Sequence, residues 1–223
     1  EVMLNKALFD SHGVEVLGVI VNKVMPAKYG KISRLVRLGL QEKGIRTFGV
    51  VPFVPLLSSP TLRQLAEDIR GELISGQSGN LDQIVSRILV GAMPAHEAFA
   101  YFKGDVLLIT PGNREDLILA AMASNIPAVQ DHYAVKGLVL TCGVWPNPTV
   151  LKVLKQTGTP AFLVNDDTFT TAQKMTNLIV KIRAEDAEKI ETVKRVIREH
   201  VDIEGILECL RAAAAKRPHP GHR

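Results

Sequence analysis

The chain has 223 residues, of which 46% are hydrophobic and 5% aromatic, and its 27 basic and 23 acidic residues leave a net charge of +4. This composition is typical of a soluble α/β protein of one large domain or two small ones. It includes no basic stripe interleaved with aromatic residues, and no apolar run of the roughly 18 residues that a membrane span needs, so we expect neither nucleic-acid binding nor membrane insertion.

The cysteine pattern favours a reducing compartment. Cys142 and Cys209 are the two cysteines, they lie far apart, and no CxxC pair or histidine spacing suited to a metal accompanies them. We therefore expect a cytoplasmic protein without a disulfide framework and without metal ligands.

The first residues already have the pattern of an amphipathic helix. Leu4, Ala7 and Leu8 can share one helical face, and Gly13 is a helix stop. A chain that starts within a helix suggests a longer parent protein, and we state this as an expectation.

The first half of the chain alternates strands and helices. The apolar run 14–24 predicts a strand buried on both faces, and 28–44 predicts a helix. A second buried strand is predicted over 45–53, followed by a helix over 56–76 in which Pro60 suits the helix start. This order indicates parallel strands with crossover helices.

The small, polar segment 76–82 is the best boundary, and the alternation restarts beyond it. Strands are predicted over 84–93, 105–110, 136–143 and 160–165, and helices over 94–104, 114–124, 147–158, 167–182 and 186–215. We therefore predict an α/β fold made of two parallel-type α/β units.

A nucleotide site is the first function to test in such a fold. The phosphate-binding pattern GxxxxGK[ST] is absent, and the nearest approach, 13–19, lacks the lysine. Asn22 and Lys23 follow the first predicted strand, where α/β folds place ligands, and an asparagine there can read a base edge. The alternative is an asparagine that caps the strand end beside a solvated lysine. Pro52 follows the second strand, where a rigid proline turn is the favoured interpretation.

A polar turn follows the strand at 105–110. Asn113 is suited to cap the next helix, and Glu115 and Asp116 fit the positive end of that helix. Arg114 would restore positive potential for a bound anion. The turn is therefore interpreted either as a capped helix start or as a ligand contact.

Two further predicted strands also end in polar residues. Because parallel strands end at one edge of a sheet, we predict a common polar rim that holds a ligand or a partner, formed by Asn113, Arg114, Asp116, Thr141, Gly143, Asn165 and Asp167. Cys142 lacks a neighbouring histidine, so a buried packing role is favoured over a nucleophilic one. Trp145 is either a local anchor or part of a contact surface. No GxSxG or HExxH motif is present, and we predict no catalytic residue.

Three segments together resemble a known family. ITPGNREDLILAA, GLVLTCG and PAFLVNDDTFTTAQKM resemble, in this order and spacing, the DRTGG domain of the N-terminal regulatory part of bacterial phosphotransacetylases. The preceding GVIVNKV and FGVVPFVPLLSSPTLRQLAEDIRGELISG resemble the C-terminal half of the dethiobiotin-synthetase-like P-loop domain that precedes DRTGG there.

The resemblance implies domain limits and sites. It implies a partial P-loop NTPase-like half at 1–78, a three-layer β/α DRTGG domain at 79–209, and leaves a basic tail at 210–223 that we expect to be disordered. In the P-loop family, the residues that match Asn22 and Pro52–Val54 contact adenine. The family's phosphate loop has no counterpart in this sequence, so we expect no cofactor in this chain and ATP only in a longer parent.

Two positions depart from the motif that names the family. Its Asp-Arg is Asn113-Arg114 here, and its Thr-Gly-Gly is Thr141-Cys142-Gly143. The loss of the carboxylate at 113 removes an anionic acceptor and favours the capping role of that residue.

Three functions remain open. The first is a regulatory, ligand-sensing module related to the N-terminal region of phosphotransacetylase, without acetyltransferase activity of its own, whose partner is a small-molecule effector or an enzyme. The second is a fragment of an ATP-dependent carboxylate-activating enzyme of the dethiobiotin synthetase or cobyrinic acid a,c-diamide synthase type. The third is an oligomerisation scaffold that uses the helices over 186–215. We expect a homo-oligomer in solution.

Overall fold

A computed structural model describes residues 2–126 and 134–215, which divide into two compact units. Unit 1 joins the segments 1–57 and 182–223, and unit 2 is the segment 58–181 between them. The helices and strands are, in chain order, α1 Val2–Ser11, β1 Val19–Val24, α2 Tyr29–Gln41, β2 Thr47–Pro52, α3 Pro55–Ser58, α4 Leu62–Ile69, β3 Glu72–Ser75, β4 Arg87–Val90, α5 Ala95–Ala98, β5 Asp105–Pro111, α6 Glu115–Ala123, β6 Ala134–Thr141, α7 Pro148–Thr157, β7 Ala161–Leu163, α8 Thr168–Thr176, α9 Ala187–His200 and α10 Ile203–Ala215.

The limits of the units differ from the predicted segments 1–78, 79–209 and 210–223. The segment 58–78 belongs to unit 2, because Arg63 donates hydrogen bonds to Asp82 Oδ1 at 2.8 Å and to the Ser78 carbonyl at 2.9 Å and so ties 76–82 to α4. The segment 182–209 belongs to unit 1. Of the predicted tail, 210–215 is the end of α10, and 216–223 lies outside the described residues.

Unit 2 is a three-layer α/β structure, which confirms the predicted fold class. Its sheet has the order β3-β7-β6-β5-β4, and all neighbouring strands from β7 to β4 are parallel. Successive residues of β5 face opposite layers: Leu108 packs with α5, α6 and α7, whereas Leu107 and Ile109 pack with α4 and α8. Burial on both faces explains the continuous apolar sequence of β5.

One strand of unit 2 was not predicted. The sequence pattern predicts a helix over 56–76, but α4 ends at Ile69 because Arg70 has a left-handed φ of 53° and the Gly71 N–H bonds to the Ala66 carbonyl at 2.8 Å. The following residues form β3, which pairs antiparallel with β7. The start of α4 also differs from the prediction, because Thr61 rather than Pro60 precedes it, in a capping box with Gln64.

Unit 1 is built around the parallel pair of β1 and β2, with the register Val19↔Thr47 and Val24↔Pro52. β2 is buried as predicted. The prediction that β1 is buried on both faces is wrong, because Ile20 is 44% exposed and β1 pairs only with β2 among the residues described.

The C-terminal helices of unit 1 pack on β2. The predicted single helical stretch over 186–215 is divided into α9 and α10, because Val201 is extended and bridges Gly49 antiparallel. The Asp202 N–H bonds to the Phe48 carbonyl at 2.7 Å. Arg46 lies 5.0 Å from the Phe48 ring centre and bonds to Asp202 Oδ2 at 3.2 Å.

A glycine in β2 allows this contact. A Cβ on Gly49 would lie 2.6 Å from the His200 carbonyl oxygen and 3.1 Å from the Val201 Cα. We expect Gly49→Ala to lower the free energy of unfolding of the chain by about 1–3 kcal/mol, because the backbone of the α9–α10 junction must move away from β2. Urea denaturation followed by circular dichroism measures the change.

Gly39→Ala is the matched control. Gly39 lies within α2, and a Cβ there would meet no heavy atom within 4 Å. Alanine favours helix over glycine, so this variant should be stabilised by about 0.5–1 kcal/mol or remain unchanged. Equal effects of the two substitutions would contradict the proposed role of Gly49.

Candidate functional site

The candidate site of unit 2 lies where β5, β6 and β7 end. We call it the rim and define it as the three turns 111–116, 141–147 and 164–169. Since the three strands are parallel neighbours, their carboxyl ends meet at one edge of the sheet.

The turns after β6 and β7 are joined by backbone hydrogen bonds. The Cys142 N–H donates to the Asp166 carbonyl and the Gly143 N–H to the Val164 carbonyl, each at 2.8 Å. Thr141, which is fully buried, shares a hydrogen bond of 2.8 Å with the Thr168 hydroxyl. Gly143 faces the side chain of Asn165, because a Cβ there would lie 3.0 Å from Asn165 Oδ1. The structure thus brings Thr141, Gly143 and Asn165 together.

The turn after β5 touches the turn after β6. Any side chain at Gly112 would overlap the Val144 carbonyl group. The Asn147 N–H, at the start of α7, donates to Glu115 Oε1 at 3.2 Å. The three turns therefore form one connected surface of unit 2.

The prediction that Asn113 caps α6 is wrong. Arg114 occupies the N-cap position and makes no side-chain capping bond, while Asn113 is exposed. Asp167 does cap a helix: its carboxylate accepts hydrogen bonds from the Thr170 N–H at 3.0 Å and the Thr170 hydroxyl at 2.7 Å. These bonds hold the pKa of the Asp167 carboxyl below its usual range.

The Arg114 side chain is hydrogen-bonded to neighbouring residues. Its guanidinium donates to both carboxylate oxygens of Asp116, at 2.9 and 3.0 Å, and to the Met93 carbonyl at 2.9 Å. The hydrogen bonds between the two side chains lower the pKa of Asp116 and raise that of Arg114, against a partial desolvation of each. This geometry fixes the guanidinium beside the turn and neutralises much of its charge.

The expected packing role of Cys142 is also wrong. The residue is exposed and has a left-handed φ of 65°, followed by Gly143 with a φ of 63°. The hydrogen bonds of this turn to the β7 turn require that conformation, which places the side chain toward solvent rather than into the core.

Two exposed aromatic side chains border the same turns. Trp145 is 50% exposed and lies in the turn after β6, and Phe169 is 75% exposed and lies in the first turn of α8. The sequence predicts Trp145 as a local anchor or a contact residue and gives no such prediction for Phe169. An apolar residue among the polar ones at a helix start was the available signal.

The second candidate site lies in unit 1, at the corresponding edge of β1 and β2. The Phe53 N–H bonds to the Val24 carbonyl at 2.8 Å, so Pro52 adjoins the end of β1. Lys23 has a left-handed φ of 61°, and its N–H donates to Asn22 Oδ1 at 2.8 Å. Asn22 and Lys23 are both exposed. The structure thus brings Asn22, Lys23 and Pro52 to one edge, and the Asn22 carboxamide keeps its N–H₂ group for another partner.

Two clefts of unit 2 lie at the C-terminal end of α8. One has a volume of about 320 Å³ and is lined by Ser58, Pro60, Val85, Ser86, Arg87, Ile88, Met175, Thr176, Leu178 and Val180. The other has a volume of about 640 Å³ and is lined by Asp68, Gln173, Lys174, Asn177, Leu178, Ile179 and Lys181. Neither cleft is predicted from the sequence.

Within 2–126 and 134–215, no three His, Cys, Asp or Glu side chains are grouped so that they could hold a metal ion. Over the same ranges, no helix combines the length and the apolarity that crossing a bilayer requires.

The strained backbone at Cys142 leads to a prediction. We expect Cys142→Gly to be more stable than Cys142→Ala by about 1 kcal/mol, because glycine adopts a left-handed φ without the Cβ clash that alanine retains. Both variants lack the thiol, so their difference measures the backbone alone, and urea denaturation determines it. An alanine variant at least as stable as the glycine variant would show that the turn is not strained.

The pair of Arg114 and Asp116 leads to a prediction about pH. The folded-state pKa of Asp116 is depressed, so its stabilising contribution is present above about pH 4, the ordinary range of an aspartate, and is lost as the pH falls through the lower folded value. We expect Asp116→Asn to be less stable than the unmodified chain at pH 7 and the difference to shrink towards pH 2. Urea midpoints measured at both pH values test this, and a difference that is independent of pH would exclude the ion pair as its cause.

A protein-family model described as the DRTGG domain matches residues 64–178, within unit 2. Phosphate acetyltransferases are similar over most of the chain. That of Nitratidesulfovibrio vulgaris is 28% identical over 200 residues, which are 87% of this chain and 28% of the relative. That of Synechocystis sp. is 26% identical over 211 residues, 93% of this chain and 30% of the relative. That of Escherichia coli is 25% identical over 189 residues, which are 83% of this chain and 24% of the relative.

Among solved structures, one similar chain also contains a DRTGG domain. The crystal structure of the CBS and DRTGG domains of the regulatory region of Clostridium perfringens pyrophosphatase, complexed with its activator diadenosine tetraphosphate, matches with a TM-score of 0.43 and 13% identity. The match covers 83% of this chain and 89% of the pyrophosphatase chain. The chain spans less than a third of each phosphate acetyltransferase named above. Because the DRTGG model matches more than half of its residues, the chain belongs to the DRTGG-domain family.

Proposed function

We propose that the chain is a regulatory, effector-sensing module of a phosphotransacetylase-type protein and has no acetyltransferase activity of its own. One observation carries this proposal: the DRTGG match at 64–178 coincides with the compact unit 58–181. The similarity to less than a third of each phosphate acetyltransferase supports a role as one module of a larger system.

The rim is the proposed recognition surface of the module. Its three turns are tied together by backbone and side-chain hydrogen bonds, so a ligand or partner that contacts one turn also acts on the others. Asn113, Asn165 and Asp167 are exposed there, and the carboxamides of the two asparagines provide both donors and acceptors. Such a module regulates by population shift, which requires that the effector bind one conformation more tightly than another.

Unit 1 is proposed to be part of a P-loop-type nucleotide-binding domain. Asn22 and Pro52 adjoin at one sheet edge, the position at which that family contacts adenine. The unit also exposes apolar side chains on both α1 and β1, including Leu4 at 74%, which is consistent with packing against further α/β structure. The same observations favour the second candidate, a part of an ATP-dependent carboxylate-activating enzyme. A cytoplasmic location and a homo-oligomeric state are part of the proposal.

Ligand-dependent stabilisation tests the proposed function. The chain would be screened by thermal denaturation with adenine nucleotides, acetyl-CoA, pyruvate and NADH. We expect at least one of them to stabilise it, by roughly 2.7 kcal/mol at 100 times its dissociation constant. No stabilisation by any of the four would count against an effector-sensing role.

Two asparagine variants show which unit binds. Loss of the stabilisation in Asn113→Ala, with Asn22→Ala unaffected, supports the rim as the effector site. The reverse pattern for an adenine nucleotide assigns binding to unit 1 and supports its nucleotide-binding role. Turnover of ATP with a carboxylate substrate would favour the second candidate.

A further inference from the structure

We propose that the rim docks a basic, partly apolar segment of a partner protein rather than an anionic small molecule. The inference rests on the proposed function of the rim as a recognition surface and specifies the chemistry of what it recognises.

The exposed aromatic side chains indicate a protein contact. Trp145 and Phe169 are 50% and 75% exposed, and they lie on the two turns joined by the hydrogen bonds from Cys142 and Gly143. Aromatic residues are enriched where protein interfaces gain most of their binding free energy, and here two of them lie on joined turns.

The net charge of the rim favours a basic partner. Its carboxylates are Glu115, Asp116, Asp166 and Asp167. The cations that face them are Arg114 and Lys174, each already in an ion pair with a carboxylate of the rim. The rim therefore carries two more negative than positive charges, although the chain as a whole has a net charge of +4. The potential of this surface attracts lysine and arginine side chains and repels phosphates and carboxylates.

The backbone of the turn after β6 also disfavours an anion. A phosphate or carboxylate site in an α/β fold uses free backbone N–H groups at the strand-to-helix turns. Here the N–H groups of Cys142, Gly143 and Val144 donate to carbonyl groups within unit 2, at 2.8 to 3.3 Å. These donors are occupied, and the guanidinium of Arg114 is occupied as well.

The aromatic and acidic groups complement one type of segment. Arginine and lysine side chains pair with the carboxylates and stack on aromatic faces, and the neighbouring apolar side chains of the same segment cover Phe169. This combination describes a short stretch in which basic and apolar residues alternate.

The one tryptophan of the chain makes a direct test possible. Trp145 lies in the rim, so the intrinsic tryptophan fluorescence reports on this surface. The chain would be titrated with a blocked hexapeptide that alternates arginine and leucine, and with one that alternates glutamate and leucine. We expect a saturable fluorescence change with the basic peptide only, weakened when the sodium chloride concentration is raised.

Two pairs of variants localise the binding. Phe169→Ala should weaken binding by about tenfold, whereas Ile179→Ala, at a similarly exposed apolar residue outside the rim, should leave it unchanged. Glu115→Gln should weaken it by about two- to fivefold, because the amide still accepts the hydrogen bond from Asn147 but carries no charge.

The outcomes separate this inference from the proposed function. A fluorescence change with ATP or pyruvate that Asn113→Ala removes would overturn the inference and leave the rim as an effector site. No change with either peptide, or equal effects of Phe169→Ala and Ile179→Ala, would also overturn it. The thermal screen for effectors remains a separate test of the sensing role.

Discussion

In unit 2, the N–H groups of Cys142 and Gly143 donate to the carbonyl groups of Asp166 and Val164. These bonds decide how the ends of β6 and β7 meet. They require a left-handed backbone at 142 and 143, and that backbone turns the Cys142 side chain to solvent. The parallel pairing of the strands brings the turns to one edge, and the hydrogen bonds between the turns make a continuous surface of them. The aromatic and acidic groups of the rim are held in place by this connection.

The turn after β6 differs from the strand-to-helix turns that hold phosphates in other α/β proteins. Such turns keep backbone N–H groups free for the ligand, whereas the donors at 142–144 are bonded within unit 2. The single guanidinium of the rim is bonded to Asp116 and to the Met93 carbonyl. We infer that the exposed aromatic side chains and the excess negative charge of the rim take part in recognition.

Unit 1 is assembled from two segments that are distant in the sequence. Its two chain segments meet because Val201 and Asp202 bond to the edge of β2 that β1 does not occupy, so residues far apart in the sequence form one structure. Unit 2 lies between these segments in the chain as an insertion. Since Gly49 lies directly against the His200 carbonyl, the absence of a side chain at one position of β2 determines whether the C-terminal helices can pack there.

Local sequence patterns were sufficient for the α/β class, for the strands β5, β6 and β7, and for the expectation that their turns share an edge, because burial on both faces produces continuous apolar runs. They failed where the outcome depended on a distant partner. The residues of β3 have a helical pattern but pair with β7, and the single predicted C-terminal helix is divided by its contact with β2. The helix α6 has Arg114 at its N-cap position, so the predicted Asn113 does not cap it. The residues that can bear chemistry at the rim were visible in the chain, but which of them remain available was decided by tertiary hydrogen bonds. A donor that bonds to a carbonyl of a neighbouring turn is no longer free for a ligand, and only the folded arrangement of the strands determines which carbonyl lies within reach.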